Sequence, residues 1–261
     1  MVKLSLALLI SISSLNSYSS TLKEVDYDGF TLWLDCSEKL ALMAKYEVTK
    51  DTADFQKKSY KMGKDKGCRQ SSSKTYSSAG KKLPEGRRPK HQFHNGHLVP
   101  ANHLDYSQTS IDESMFMDNI FPQVGRFNGS GGSWFYTEKL TECLREGTDM
   151  DVYLGLIMGD DSVNDYFLSS HGVKTPDYAW KIIHRKDTDK IQIYLMPNSY
   201  DSIESEMDTY VVGFDELLVK MTDQSIKDKL LPLADLVQDP NIWEVSGSKN
   251  LICGKYSGTM D

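Results

Sequence analysis

Apolar residues recur along the chain in short runs separated by turn-forming stretches. The runs at 30–34, 45–48, 152–157, 180–184 and 191–196 are short, rich in β-branched and aromatic residues, and read as strands. Helical spacing predicts helices over 134–145 and 214–221, and a further one over 37–43. Within 134–145, a rotation of about 100° per residue places Tyr136, Leu140, Cys143 and Leu144 on one side. Glu138, Glu142 and Arg145 fall on the other, with Trp134 near them. One face would pack and the other would present carboxylates and a guanidinium to a site. Residues 70–80 are Ser-rich and 81–89 carry Pro and Gly, so this stretch reads as loop. Strands outnumber helices without βα alternation, which predicts an α+β domain on a central, largely antiparallel sheet flanked by helices.

Length and composition allow one core: 261 residues with 39% hydrophobic content predict a single domain over 20–261. Ahead of it, Lys3 precedes an apolar run at 4–12 that gives way to Ser- and Asn-rich sequence. The run is too short to span a bilayer, so 1–19 is predicted to be a secretory signal. The mature protein is then expected outside the cytoplasm, extracellular or periplasmic, without a membrane anchor. Export changes the reading of Cys36, Cys68, Cys143 and Cys253, which form no CxxC pair and so predict two disulfides. Four cysteines allow three pairings. Cys36 with Cys68 is preferred, leaving Cys143 for Cys253.

A net charge of -7 and a pI near 5.4 argue against a polyanionic partner when taken over the whole chain. The distribution argues otherwise. Residues 50–90 hold 13 Lys or Arg against four acids, among them Lys57, Lys58, Arg87 and Arg88. A basic surface of this kind holds a phosphate backbone whatever the global charge.

The basic stretch leads directly into the chain's densest chemistry, His91-Gln-Phe-His94-Asn-Gly-His97-Leu-Val-Pro-Ala-Asn-His103. Gly96 and Pro100 predict a short strand entering a turn, with His97 projecting where the chain leaves the sheet. Downstream stand Asn119-Ile-Phe-Pro-Gln123, Phe127-Asn128 and Glu138. A base, a neutral oxygen ligand for a hard cation and a carboxylate suit metal-assisted attack of water on a phosphodiester. Four histidines within 13 residues invite a zinc reading, but their spacing matches no common zinc helix and no cysteine accompanies them.

Taken in order, Gly96-His-Leu-Val-Pro-Ala-Asn-His103, Asn-Ile-Phe-Pro-Gln, Phe-Asn, Trp134 and Glu138 resemble the Serratia-type sugar-nonspecific DNA/RNA endonucleases of the ββα-metal (His-Me finger) class. The resemblance implies that fold and a Mg²⁺-dependent hydrolysis of DNA and RNA leaving 5'-phosphates, with Mn²⁺ as second candidate cation. It implies His97 as general base, Asn128 as the direct protein ligand of the metal, and Glu138 as partner of the metal's waters. Asn119 falls where the family has an asparagine supporting the catalytic histidine. Asn95, Arg145, Lys57, Lys58, Arg87 and Arg88 are the candidate substrate contacts. Three departures stand out. Asn95 replaces a family arginine, Glu142 replaces another with Arg145 as its substitute one turn later, and the Gly-rich stretch at 129–132 lengthens the path from Asn128 to Glu138. These departures keep two alternatives open: a nucleic-acid-binding relative with a weakened site, and a phosphodiesterase for smaller substrates. The oligomeric state is open.

Overall fold

The computed structural model describes residues 21–239 together with Asn241 and Trp243. Gly29, at a φ of +88°, turns the chain between β1 (Lys23–Tyr27) and β2 (Phe30–Asp35). At the next turn Asp35 Oδ1 accepts from the Ser37 and Glu38 amides at 2.8 and 3.2 Å, and Lys39 takes a φ of +59° into β3 (Leu40–Val48). Residues 37–43 are therefore a turn and a strand, not the predicted helix. The physical reason lies in burial: Leu40, Ala41, Leu42, Met43 and Ala44 are all buried, so the two-residue alternation that marks a strand is absent.

The other predicted strands lie within β6 (Met150–Ile157), β7 (Tyr178–Arg185) and β8 (Lys190–Pro197). With β9 (Val237–Gln238) they complete a seven-stranded sheet ordered β1-β2-β3-β6-β7-β8-β9. Every pairing in it is antiparallel except β8 with β9. Two further strands, β4 (Phe93–His97) and β5 (Ile120–Val124), pair only with each other. The predicted helices are found as Ser133–Leu144 and Phe214–Lys220.

Alternation along the strands divides the core between the two faces of the large sheet. Ala179 and Ile183 of β7 join a cluster with Phe121, Phe127, Trp134 and Leu140, so β5 and the helix Ser133–Leu144 pack on that face. Trp180 and Ile182 point the other way, toward Phe214, Leu217 and Ile226 of the C-terminal helices. The hairpin and the helix thus form one layer, whose position is fixed by apolar contact with the sheet.

Cys36 and Cys68 form a disulfide, tying the end of β2 to the basic loop. Cys143 is also disulfide-bonded, but the expected partner Cys253 and the expected signal at 1–19 lie outside the described residues. No helix among the described residues is long and apolar enough to cross a membrane.

Gly155 of β6 marks a close approach within the sheet layer, because a Cβ there would lie 2.3 Å from the Leu42 carbonyl oxygen and 2.5 Å from the Trp180 ring. Replacing it with alanine forces the indole or the strand to move. Gly155→Ala should lower unfolding free energy by about 1–3 kcal/mol with an unchanged m-value in urea titration. A midpoint equal to wild type would show that both the strand and the indole give way without cost.

Candidate active site

His97 is the last residue of β4, paired with Ile120 of β5. The next two residues are held by Asn119, whose backbone oxygen accepts from the Leu98 amide at 2.7 Å. The Asn119 side chain accepts from the Val99 amide at 2.8 Å and donates to the carbonyls of Val99 and Ser114 at 2.9 and 3.0 Å. Fully buried, with its amide committed on both sides, Asn119 fixes the bend beyond His97 and does not face the cleft. These bonds suit the supporting role expected of Asn119 from sequence, as a positioning residue and not as a group that touches substrate. The His97 Nε2 lies 3.3 Å from the Met115 sulfur, and its ring packs on Tyr60 at 5.9 Å. Burial, with the Lys57 ammonium adding to it, pushes the imidazole down to about 3, so it is neutral near pH 7.

Asn128 ends the short helix Gly125–Asn128, and the chain must fold back at once to start Ser133–Leu144. Gly132 makes this possible. A Cβ there would sit 2.2 Å from the carbonyl oxygens of both Arg126 and Phe127. The fold-back brings Asn128 and Glu138 to a common cleft of about 30 Å³, lined also by Lys57, His97, Asn102 and His103. There Asn128 Nδ2 lies 3.2 Å from His94 Nδ1. An amide nitrogen can only donate, so His94 accepts, and the Asn128 Oδ1 is the atom left for a cation. His103, by contrast, is occupied between the Tyr46 hydroxyl at 2.8 Å and the Glu138 carbonyl oxygen at 3.2 Å.

Glu138 is raised above the usual carboxylate range by burial, against the pull of the Lys181 ammonium and, more weakly, of Lys57. Lys181 was not anticipated from sequence. It lies in the middle of β7, fully buried, donating to Thr137 Oγ1 at 2.8 Å with its Nζ 4.0 Å from the centre of the Trp134 ring. Burial lowers its affinity for a proton and the Glu138 carboxylate restores part of it. Among the described residues no three His, Cys, Asp or Glu side chains are spaced to hold a metal ion. The cleft's donor set is instead one neutral amide oxygen beside one carboxylate. That suits a hard cation which keeps most of its water, as Mg²⁺ does, better than zinc.

A family model described as DNA/RNA non-specific endonuclease matches residues 13–231. The chain belongs to this family. No curated protein matches the nuclease. Among solved structures, a chain in the crystal structure of an EndoG/EndoGI complex superposes with a TM-score of 0.55 at 16% identity, covering 80% of this nuclease and 88% of that chain. At such identity the likeness speaks for the fold alone, which is the ββα-metal fold expected from the sequence. β4, β5 and the helix Ser133–Leu144 supply two antiparallel strands and a helix packed against the same face of the large sheet.

Within the nuclease, the sequence-derived substrate contacts separate. Lys57 is exposed at the cleft. Lys58 is exposed nearby but bonds Asp112 at 2.6 Å. Arg87 and Arg88 line a different groove, beyond the opposite end of β4. Asn95 is buried, its Oδ1 accepting from the Tyr76 amide at 2.8 Å, so it braces the basic loop rather than facing a phosphate. Arg145 is 2% exposed. Its guanidinium donates to the carbonyls of Thr49 and Asn102 at 2.9 and 3.3 Å and to Glu142 at 3.0 Å, with Asp51 at 3.5 Å. It cannot present charge to a substrate. The helix face predicted to be open is covered as well, since Trp134, Glu142 and Arg145 are all buried.

Arg145 faces more carboxylates than it can neutralise. Asp105 is 1% exposed, neither of its oxygens has a hydrogen-bond partner, and burial together with the Asp51 charge pushes its carboxyl up to about 7. An unfolded aspartate titrates near 3.9, so the folded nuclease prefers the protonated acid. Asp105 therefore costs stability progressively as pH rises from about 4 through 7. Asp105→Asn should raise Tm at pH 8 and give little or no gain at pH 4. Equal gains at both pH values in thermal melts would contradict this account.

Proposed function

We propose that the nuclease hydrolyses DNA and RNA phosphodiesters with His97 as general base and a Mg²⁺ ion held at Asn128 and Glu138, leaving 5'-phosphates. One observation carries the reading: His97, Asn128, Glu138 and Lys57 converge on one cleft although they come from four separate segments. A cleft of about 30 Å³ has room for an ion and a water. The substrate backbone would thus lie across its mouth, and recognition through phosphate carries no sequence information.

His97 is suited to take a proton from water. With Nε2 against the Met115 thioether, a weak acceptor, the ring hydrogen belongs on Nε2 and Nδ1 is the basic nitrogen. Asn128, oriented by His94, would supply an oxygen to the cation, and Glu138 would accept hydrogen bonds from its waters. Lys57 places the cleft's exposed positive charge where the phosphate passes, the task for which Asn95 and Arg145 are not available. When bound, the metal supplies charge stabilisation for the leaving 3'-oxygen. Export through 1–19 belongs to the same proposal, and the Cys36–Cys68 disulfide supports an oxidising compartment.

The purified nuclease is expected to degrade plasmid DNA and RNA with Mg²⁺ and to stop in EDTA. His97→Ala should lower the rate by about 10²–10⁴. Degradation undiminished by that change would sink the mechanism. Asn128→Ala and His94→Ala should raise the Mg²⁺ concentration needed for half-maximal rate, with oligonucleotide affinity in EDTA unaltered. Lys57→Ala should reduce kcat/KM on polynucleotides more than Lys58→Ala does, because the second ammonium is already paired with Asp112.

A further inference from the structure

A second concave surface lies at the other end of β4, a groove of about 820 Å³ that the mechanism does not use. One side is the turn Glu85–Arg87 and the residues that follow it, where Arg87, Arg88 and Lys90 are exposed. Pro84 and Pro89 flank this turn, and Arg88 Nε donates to the Leu83 carbonyl at 3.0 Å, so the cations sit on a stiffened stretch. The floor carries a pair of rings, His91 and Tyr200, stacked with centroids 4.1 Å apart and planes 19° from parallel. Tyr200 is 50% exposed, leaving ring surface open to the groove. The remaining sides bring Asp161, Asp201 and Asp165, the last with one oxygen held by the Thr175 amide.

We infer that this groove is a subsite for single-stranded nucleic acid, with an unpaired base stacked on the Tyr200–His91 platform and the adjoining phosphates on Arg87 and Arg88. Stacking on an aromatic ring is sequence-tolerant because every base has a π-face, and it is open only to a base not already enclosed in a duplex. The charge distribution favours one strand over two. A single backbone can follow the arginines, whereas the second backbone of a duplex would meet Asp161 and Asp201. The groove and the cleft lie toward opposite ends of β4, which runs from beside His91 to His97, with His94 touching Asn128 on the way. At ~3.3 Å per residue the two ends are at most about 20 Å apart, a few nucleotides along a strand. This inference rests on the phosphodiesterase reading of the cleft and assigns the groove to holding the same strand.

The test separates the two. In EDTA, where no cleavage occurs, the wild type should bind a fluorescent single-stranded 12-mer more tightly than the corresponding duplex, and should quench 2-aminopurine placed within the single strand. Tyr200→Ala should weaken single-strand binding about ten-fold and lose the quenching, while Tyr200→Phe, which keeps the ring, should retain both. Arg87→Ala with Arg88→Ala should lower the slope of log affinity against log salt by up to about 1.4. Hydrolysis of bis(p-nitrophenyl) phosphate, too small to reach the groove from the cleft, should be unchanged in all these variants. Unaltered single-strand affinity in Tyr200→Ala, or equal losses on single strand and duplex, would overturn the subsite. A wild type that binds and quenches but hydrolyses neither substrate would overturn the nuclease mechanism and leave the platform supported.

Discussion

Lys181 joins the two layers of the nuclease at the point where its chemistry is assembled. Its ammonium is buried between the large sheet and the helix Ser133–Leu144, with the Thr137 hydroxyl and the Trp134 ring as neighbours and the Glu138 charge nearby. Taking an ammonium out of water is expensive unless hydrogen bonds and opposite charge compensate. Compensation requires the helix to sit at one depth and one rotation on β7, because only then do Thr137 and Trp134 reach the nitrogen while the Glu138 charge lies near enough to act on it. That rotation also aims Glu138 at the cleft. The fold-back at Gly132 then places Asn128 beside it, and the hydrogen bonds of Asn119 bring His97 from the opposite side. The geometry of the site is thus a consequence of how the helix meets the sheet.

The distribution of positive charge obeys a similar logic. The guanidinium that could have served a substrate at Arg145 is spent inside the protein, holding the Thr49 and Asn102 carbonyls around a carboxylate cluster. Asn102 and His103 line the cleft, so Arg145 supports its wall without entering it. Asn95 is likewise turned inward, to the Tyr76 amide. Exposed cations remain on the loop segments before β4, Lys57 at the cleft and Arg87 and Arg88 at the groove. Long flexible side chains on loops can approach a backbone of variable shape, which is consistent with binding that reads phosphate rather than sequence.

Much of this is legible in the sequence, and the exceptions share a cause. Four of the five predicted strand runs fall within elements of nearly the same extent, and His97, Asn128 and Glu138 meet as their order suggests. The fifth run, 45–48, is only the end of β3, because residues 40–44 are covered on both sides and lack the periodicity that marks a strand. Lys181 escapes notice for the related reason that a lysine between apolar residues reads as the solvent-facing position of a strand. Arg145 and Glu142 fall on a face that reads as open because a helical wheel distinguishes polar from apolar but not buried from exposed. His94 reads as one member of a histidine cluster, yet its role depends on Asn128, which is 34 residues away. In each case the missing information is the second layer. Local pattern reports what a residue prefers, and long-range packing decides which neighbour satisfies it.

The cleft and the groove differ in volume from about 30 to about 820 Å³, and this separation bears on how a nonspecific nuclease can be both active and indiscriminate. A site that enclosed a nucleotide would desolvate base and sugar edges, and any unmatched polar group would impose selectivity. On the proposed mechanism a cleft that takes an ion and a water would avoid that, because the substrate atoms entering it would belong to the phosphate. Its cost is affinity, since little of the substrate is buried there. Binding energy then has to be collected elsewhere along the strand, from charge and from stacking, neither of which depends strongly on base identity. On the proposed reading, the cleft and the aromatic platform at the far end of β4 are two halves of one arrangement, the first keeping the base away from the chemistry and the second giving it somewhere to rest.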